Sequence, residues 1–369
     1  MKFAYEIYDF LKIIAPLKLA ESYDNPGLLV GSGQQQVNKA LVALDITSDV
    51  CLEAVQKDAQ LVISHHPVIF KPVRAVLREG ETAPLWQLVN NSLTAICMHT
   101  NLDSATGGVN DALAEALGFK KTSVLLVRGV KNYKKVAVYV PRAYAQAVRQ
   151  SIAQAGAGSL GAYDNCSFET EGTGYFRPLE GAKPFIGQVG IVEQVSEVKL
   201  EAICAPSIID NVVEAIKRVH PYEQPAIEIF DDESNSEAYG IGRLALLSHT
   251  QELEAFVRFV TKSLLSGGAR FASAGRKVSS VAICSGAWDA ELTGEAVLKG
   301  ADTILTGEIK HSDILAALDC GLNVIAAGHF ATENVICPVL ASKLSAEFPD
   351  VRFEVAQSGK DAMFYIKND

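Results

Sequence analysis

A short pattern occurs twice in this chain, once near each end. Glu53-Ala54-Val55-Gln56-Lys57-Asp58-Ala59 runs into Leu61-Val62-Ile63-Ser64, and Glu295-Ala296-Val297-Leu298-Lys299-Gly300-Ala301 runs into Thr303-Ile304-Leu305-Thr306. In each copy a helix-like stretch meets an apolar run of strand length. The next strand and turn agree as well. Ala95-Ile96-Cys97-Met98-His99 leads to Asp103, and Val324-Ile325-Ala326-Ala327-Gly328-His329 leads to Glu333, so both copies end in His-x-x-x-carboxylate. One matched strand is unremarkable; two in the same order read as a duplication. The two ends of the chain are therefore expected to fold together as one pseudo-symmetric domain, with the middle inserted into it.

The pattern between these landmarks gives the class. Residues 41–44, 61–64 and 94–98 look like buried parallel strands, with helices over 50–57 and 109–117, and 281–284, 303–305 and 324–326 repeat the type. Strand alternating with helix predicts a three-layer α/β structure. The middle differs: strands over 136–140, 187–192, 200–204 and 226–230, with helices over 144–155 and 208–219, make two β-α-β halves. That is a ferredoxin-like α+β unit. Residues 231–237, Asp-Asp-Glu-Ser-Asn-Ser-Glu, read as a solvated linker. The expected divisions are 1–130 and 234–369 for the two halves of the α/β domain and 131–233 for the insert.

The ends of parallel strands are where ligands collect, and the chemistry-bearing residues fall there. His65-His66-Pro67 directly follows the strand at 61–64. Alone, paired imidazoles more often mark a surface turn. Here they join His99 with Asp103 and His329 with Glu333, so four of the chain's seven histidines fall in three strand-end segments. Imidazole with carboxylate suits zinc, iron or manganese in the divalent state. Five or six such donors exceed the needs of one tetrahedral ion, and a pair of ions bridged by a carboxylate uses them better. Aligning the copies puts Thr306-Gly307-Glu308 where Ser64-His65-His66 stands, so the site should be single and asymmetric. Glu308 and His311 then stand near it as orienting, substrate-side or merely surface groups. His99 is either a sixth ligand or a group that orients Asp103 and its metal.

Other motifs carry less. Gly156-Ala157-Gly158-Ser159-Leu160-Gly161 has the letters of a dinucleotide-binding turn but follows a helix rather than a strand. Ser64 and His65 are adjacent at a strand end and point apart, which excludes a catalytic dyad. His220-Pro221-Tyr222-Glu223 is a structural turn or a small binding patch. Lys71, Arg74 and Arg78 either meet phosphate at the metal site or form a solvated basic stretch.

Formal net charge is -10, with a pI near 5.3, which excludes a broad basic nucleic-acid surface. Phe3, Ile7, Phe10, Leu11 and Ile14 follow helical spacing, so the first residues are expected to form an amphipathic helix rather than a signal sequence. No apolar run is long enough for a bilayer. Seven scattered cysteines without C-x-x-C fit a reduced, cytoplasmic protein and exclude zinc-ribbon and thioredoxin-like readings.

The run Ser22-Tyr23-Asp24-Asn25-Pro26-Gly27-Leu28-Leu29-Val30-Gly31, residues 63–67, His99-Thr100-Asn101-Leu102-Asp103 and Gly328-His329-Phe330-Ala331-Thr332-Glu333 resemble the GTP cyclohydrolase 1 type 2 homologue family over both outer segments. Phe330 departs from the tyrosine of many relatives. Residues 161–168, Glu171-Gly172-Thr173-Gly174 and 220–223 are similar to the insert of its longer bacterial members, which resembles CutA and the nitrogen-regulatory PII proteins. The resemblance implies a dinuclear-metal α/β protein assembled as a toroidal homohexamer. Carried over by position, its metal ligands fall on His65, His66, Asp103, His329 and Glu333.

Together these readings give a metal-dependent hydrolase with two divalent ions per subunit. Its expected substrate is a small molecule, a nucleotide or related heterocycle with GTP as one candidate, and Glu308 or His99 would serve as acid or base. The competing expectation is a non-catalytic, metal-holding regulatory or assembly protein whose insert senses a ligand.

Overall fold

The computed structural model describes residues 2–160 and 163–364. Gly161 and Ala162, which close the glycine-rich run and open the 161–168 motif, lie outside the described residues. The chain divides into two compact units, Met1–Gly129 with Tyr239–Asp369, and Val130–Ala238.

In the first unit, strands Lys39–Ala43, Leu61–Ser64 and Thr94–Cys97 run parallel in one sheet, with Arg352–Val355 on one edge and Gly27–Val30 antiparallel on the other. Strands Val278–Ala287, Thr303–Glu308 and Asn323–Ala326 run parallel in another, with Arg270–Ala272 antiparallel beside the last. The order of elements repeats. Helix Ala4–Ile14, an edge strand, three parallel strands separated by helices Ser48–Gln56 and Ala83–Asn90, short helix Thr100–Ser104 and helix Val109–Ala116 make the first set. Helix Leu253–Ser263, an edge strand, three parallel strands separated by Glu291–Leu298 and His311–Asp319, short helix His329–Glu333 and helix Ile336–Glu347 make the second.

Strand periodicity explains why both sheets need helices on both faces. Val42, Ile63 and Ile96 point into one core with Ile7, Leu11 and Leu340, while Leu41, Val62 and Ala95 point into another with Val50 and Leu88. The second sheet behaves alike: Ile283, Leu305 and Ile325 pack with Phe256 and Val260, and Ala282, Ile304 and Val324 with Leu292 and Ala317. Each large side chain so buried contributes about 2 kcal/mol. Helix Val109–Ala116 serves both sheets, Val109 and Ala112 facing one core and Leu113 and Ala114 the other. Arg243, buried, adds a polar tie through Asp111 (2.6 and 2.7 Å) and the carbonyl of Ala105. The carboxyl ends of all six parallel strands therefore belong to one packed unit, which is what lets separate strand-end residues form one site.

The second unit runs strand, helix, strand, strand, helix, strand: Thr122–Pro141, Ala145–Gln154, Ser167–Phe176, Glu193–Cys204, Ile209–Val219 and Ile227–Gln251. In the sheet the fourth strand lies beside the first, then the third, then the second. Val136, Val138, Leu200, Val148, Ile152, Val212 and Ile216 form its core.

Two sequence expectations change here. Residues 187–192 are a loop, because Gly187 and Gly190 take positive φ (88° and 86°) and interrupt the apolar run. The strand is instead Ser167–Phe176, a polar, exposed edge with no apolar period to reveal it. The expected linker 231–237 lies inside strand Ile227–Gln251, where Lys134 pairs with Asp231 at 2.5 Å. Its acidic composition reports exposure, not irregular backbone.

Glu53, part of the repeated pattern, clamps the chain after its final strand. Its carboxylate accepts from the Gln357 and Ser358 amides (3.0 and 2.7 Å) and the Ser358 hydroxyl, and pairs with Lys57 at 2.8 Å. Burial raises its pKa, but these donors outweigh burial and hold it at about 2. A depressed carboxylate stabilises the fold above its unfolded pKa and loses that contribution as pH falls toward 2. Glu53→Gln is expected to cost ~2 kcal/mol at neutral pH. In acid-titrated thermal melts the gap from wild type should close as the pH approaches about 2; a gap constant with pH would contradict the clamp.

Candidate metal centre

Four imidazoles meet at the strand ends of the first unit. Ring centroids are 5.0 Å apart for His65 and His66, 5.2 Å for His65 and His99, 5.5 Å for His66 and His99, and 5.4 Å for His66 and His329. His65 and His66 follow strand Leu61–Ser64, His99 precedes helix Thr100–Ser104, and His329 begins helix His329–Glu333. The i, i+4 spacing in that last helix turns His329 and Glu333 to one side, with Nε2 and Oε2 3.0 Å apart.

Each ring is held from behind. His65 Nδ1 donates to the Met98 carbonyl (3.0 Å), His66 Nδ1 to Asp45 (2.7 Å) and His99 Nδ1 to Asp24 (2.7 Å), while His329 Nδ1 faces Glu308 at 3.2 Å. A carbonyl or carboxylate can only accept, so the hydrogen sits on Nδ1 and the Nε2 lone pair is left to face inward. What it meets is more acceptor. His66 Nε2 lies 2.9 Å from Glu333 Oε2, and His65 Nε2 lies 3.7 Å from Asp103 Oδ1 and 3.8 Å from Glu333 Oε1. With the rings neutral and protonated on Nδ1, buried His65 Nε2, Asp103 Oδ1 and Glu333 Oε2 have no hydrogen-bond donor among the described residues. Converging lone pairs repel unless positive charge lies between them.

Protons supply that charge in the metal-free protein. Burial opposes protonation of His66, but Asp45 and Glu333 overcome it and raise its pKa to about 10. The hydrogen bond to Glu333, against burial, raises His329 to about 9. Burial likewise opposes charge on His65, yet Asp103 and Glu333 raise it. Glu333 lies well below the usual carboxylate range: burial is outweighed by its contacts with His329, His65 and His66. Burial pushes Asp103 up. A divalent ion meets the same demand with better geometry, since its preferred donors are neutral imidazole and ionised carboxylate. His65, His66 and His99, and separately His66, His329 and Glu333, bring donor atoms within 4.8 Å of one another. The donor set therefore fits a metal.

All five residues carried over as ligands come together, and His99 joins them. Glu308 stands beside His329. It is exposed and meets His329 from outside, and it is not among the residues lining the adjacent cavity, whereas His99 is. His311 is exposed at the start of its helix and does not line the cavity. Nor do Lys71, Arg74 and Arg78, which are exposed; Arg78 stacks on Trp86 at 5.3 Å.

The asymmetry has a steric cause. Gly307, aligned with His65, lies so close to helix His329–Glu333 that a Cβ would stand 2.6 Å from Thr332 Oγ1 and 2.8 Å from His329 Cα. Gly286, at φ +60°, leaves room for Glu333 in the same way, a Cβ there meeting Oε1 at 2.0 Å. One copy supplies paired histidines; the other gives up side chains so that its own histidine helix can approach.

Several residues of the centre escaped sequence reasoning. Asp45 follows strand Lys39–Ala43, so the strand-end rule that found His65 also points to it. Asp24 carried no metal-type spacing; its carboxylate also accepts from Thr100, and despite burial its pKa is held at about 2 by His99 and Thr100. Asn110 ties the Asp103 carbonyl (3.1 Å) to the Ser285 amide (2.9 Å), joining the two halves beside the site. The cavity of about 670 Å³ is lined also by Tyr23, Phe70, Trp288, Arg128 and Lys310.

The family model for Duf34/NIF3 (NGG1p interacting factor 3) matches residues 3–362. The chain belongs to the Duf34/NIF3 family. A Bacillus subtilis relative named GTP cyclohydrolase 1 type 2 homolog is 36% identical over 352 residues, 95% of this chain and 94% of its own. Among solved members and their neighbours, a Bacillus cereus protein related to NIF3 has a TM-score of 0.89 at 33% identity, covering 99% of each chain. A Staphylococcus aureus protein has a TM-score of 0.71 at 30% identity, again covering 99% of each. The GTP cyclohydrolase homologue resemblance read from the sequence motifs and this Duf34/NIF3 membership are one family. No helix among the described residues is long and apolar enough to cross a membrane.

Raised histidine pKa values fix a sign. The stabilisation they give the metal-free protein is full below the ordinary value of 6.5 and is lost as pH rises through about 9 to 10. Metal must displace those protons, so divalent-metal affinity should rise with pH between about 6 and 8, with proton release on binding. Calorimetric titration in buffers of different ionisation enthalpy measures both; affinity independent of pH would contradict this reading.

Proposed function

We propose that this Duf34/NIF3 protein binds two divalent metal ions per chain and hydrolyses a nucleotide or related heterocycle, GTP among the candidates. His65, His66, Asp103, His329 and Glu333 hold the pair, with Glu333 central. The observation that carries this reading is the convergence of imidazole nitrogens and buried carboxylates beside a cavity of substrate size. When bound, zinc, iron or manganese supplies Lewis acidity, polarising a substrate oxygen and acidifying water.

The chain's own residues do the rest. Tyr23, Phe70 and Trp288 line the cavity with aromatic surface for a flat ring, and Arg128 and Lys310 bring positive charge for an anionic group. His99, with Nδ1 fixed by Asp24, lines the same cavity and would hold or move a proton there. Glu308 acts through His329 by fixing its ring.

The remaining expectations belong to the same proposal. The repeated element order supports duplication of the α/β domain, and the strand order of the 130–238 unit supports a ferredoxin-like, CutA/PII-like insert between residues 131 and 233. The homohexameric toroid rests on the family resemblance of the outer segments. Free cysteines support a cytoplasmic location. A second reading, a non-catalytic regulatory protein, draws support from a separate cavity in the 130–238 unit; stabilisation by a metabolite without turnover would favour it.

Metal-loaded wild type should turn over at least one member of a nucleotide and phosphoester panel, and His65→Ala should reduce that rate by at least about 100-fold. Equal turnover by the two proteins would contradict the hydrolase reading.

A further inference from the structure

In the 130–238 unit a second cavity, of about 660 Å³, is lined by none of the metal-centre residues and has its own chemistry. Its lining residues include Tyr139, Phe176, Phe185 and Tyr222, together with Glu197. Phe176 and Tyr222 have centroids 5.6 Å apart, and Phe185 and Tyr222 6.5 Å, both pairs tilted, so the three rings form one aromatic group on the cavity wall. Glu197 is only 9% exposed. Its Oε1 accepts from the Tyr222 hydroxyl at 2.9 Å, and no Lys, Arg or His among the described residues pairs with it.

The surroundings are built to keep that carboxylate in place. Gly174 lies directly under it, where a Cβ would stand 2.1 Å from Oε2. A glycine inside a strand at such a contact makes room for the neighbour that crosses it. On the other side, His220 Nε2 donates to the Tyr139 carbonyl (2.9 Å) while its Nδ1 accepts from the Tyr222 amide (3.1 Å). That fixes the neutral tautomer and sets the turn that carries Tyr222. The Glu171–Gly174 and His220–Glu223 motifs of the sequence, which the metal centre does not use, thus meet at Glu197.

A largely buried carboxylate without a cation partner, walled by aromatic faces, selects positive charge. Glu180 and Glu223 also line the cavity with the cation Arg177, while Lys199, over the Tyr139 ring at 5.8 Å, is paired with Glu201. The ligand's substitution follows from the donors it would need. A primary ammonium requires about three close acceptors, but of the three lining carboxylates only Glu197 is buried, and it already accepts from the Tyr222 hydroxyl, while Glu180 and Glu223 are exposed. Methyl groups in place of N–H make the better match, since they contact ring faces while the charge meets Glu197. We propose that this cavity is a binding site for a methylated ammonium group, with Glu197 as counter-ion and Phe176, Phe185 and Tyr222 as the cage.

The test uses the full chain, with choline and its neutral isostere 3,3-dimethyl-1-butanol as probes, followed by saturation-transfer NMR and calorimetry. Wild type should bind choline at least about ten-fold more tightly than the isostere. Glu197→Gln should abolish that preference, Phe185→Leu should weaken choline binding with Glu197 intact, and His65→Ala should leave it unchanged. The Phe185 variant keeps the test decisive if Glu197→Gln does not fold. Equal binding of the two probes, no binding of choline, or choline binding lost in His65→Ala but kept in the cage variants would overturn the proposal.

Discussion

The carboxylate of Glu333 stands 2.9 Å from His66 Nε2 and 3.0 Å from His329 Nε2, with His65 Nε2 at 3.8 Å, and the architecture of the first unit is what makes this crowding possible. Of the four rings held through Nδ1, those of His65, His66 and His329 turn their Nε2 toward two acids, Asp103 and Glu333. In water such groups would turn away from one another. Here they cannot, because the rings sit on strand ends of a close-packed α/β unit and each is locked by Met98, Asp45, Asp24 or Glu308. Positive charge is the missing component, and protons or divalent ions compete to provide it.

That constraint also explains the limited symmetry. Two sets of elements in the same order would give two like sites if their strand ends were alike. The second set instead carries Gly286 and Gly307 where bulk would block helix His329–Glu333. The result is one centre with unequal contributions: His65, His66, His99 and Asp103 from the first half, His329 and Glu333 from the second. Asn110 and Arg243 then fasten the halves on either side of it.

Much of this was legible in the sequence because apolar period and strand-end chemistry are local signals. The parallel strands, the helices between them and the convergence of His65, His66, His99, Asp103, His329 and Glu333 follow from them. The orienting acids were not legible, since Asp24 and Asp45 act through single long-range hydrogen bonds that leave no spacing. Strand Ser167–Phe176 was hidden for a related reason: an exposed edge has no buried face and so no alternation. The acidic run at 231–237 misled in the other direction, because charge reports solvent contact and says nothing about backbone pairing. Glu308 stands beside His329, and a strand-end position does not say on which side of a ring the carboxylate will lie. The aromatic cavity around Glu197 depends on three separated segments meeting and had no sequence signature beyond its motifs.

The central claim is that these residues hold a pair of ions around Glu333. Anomalous diffraction from crystals of metal-loaded protein tests it most directly. The account requires two peaks flanking the Glu333 carboxylate, one toward His66 and His329 and one toward His65 and Asp103. A single peak, or none with the four imidazoles still converged, would contradict it.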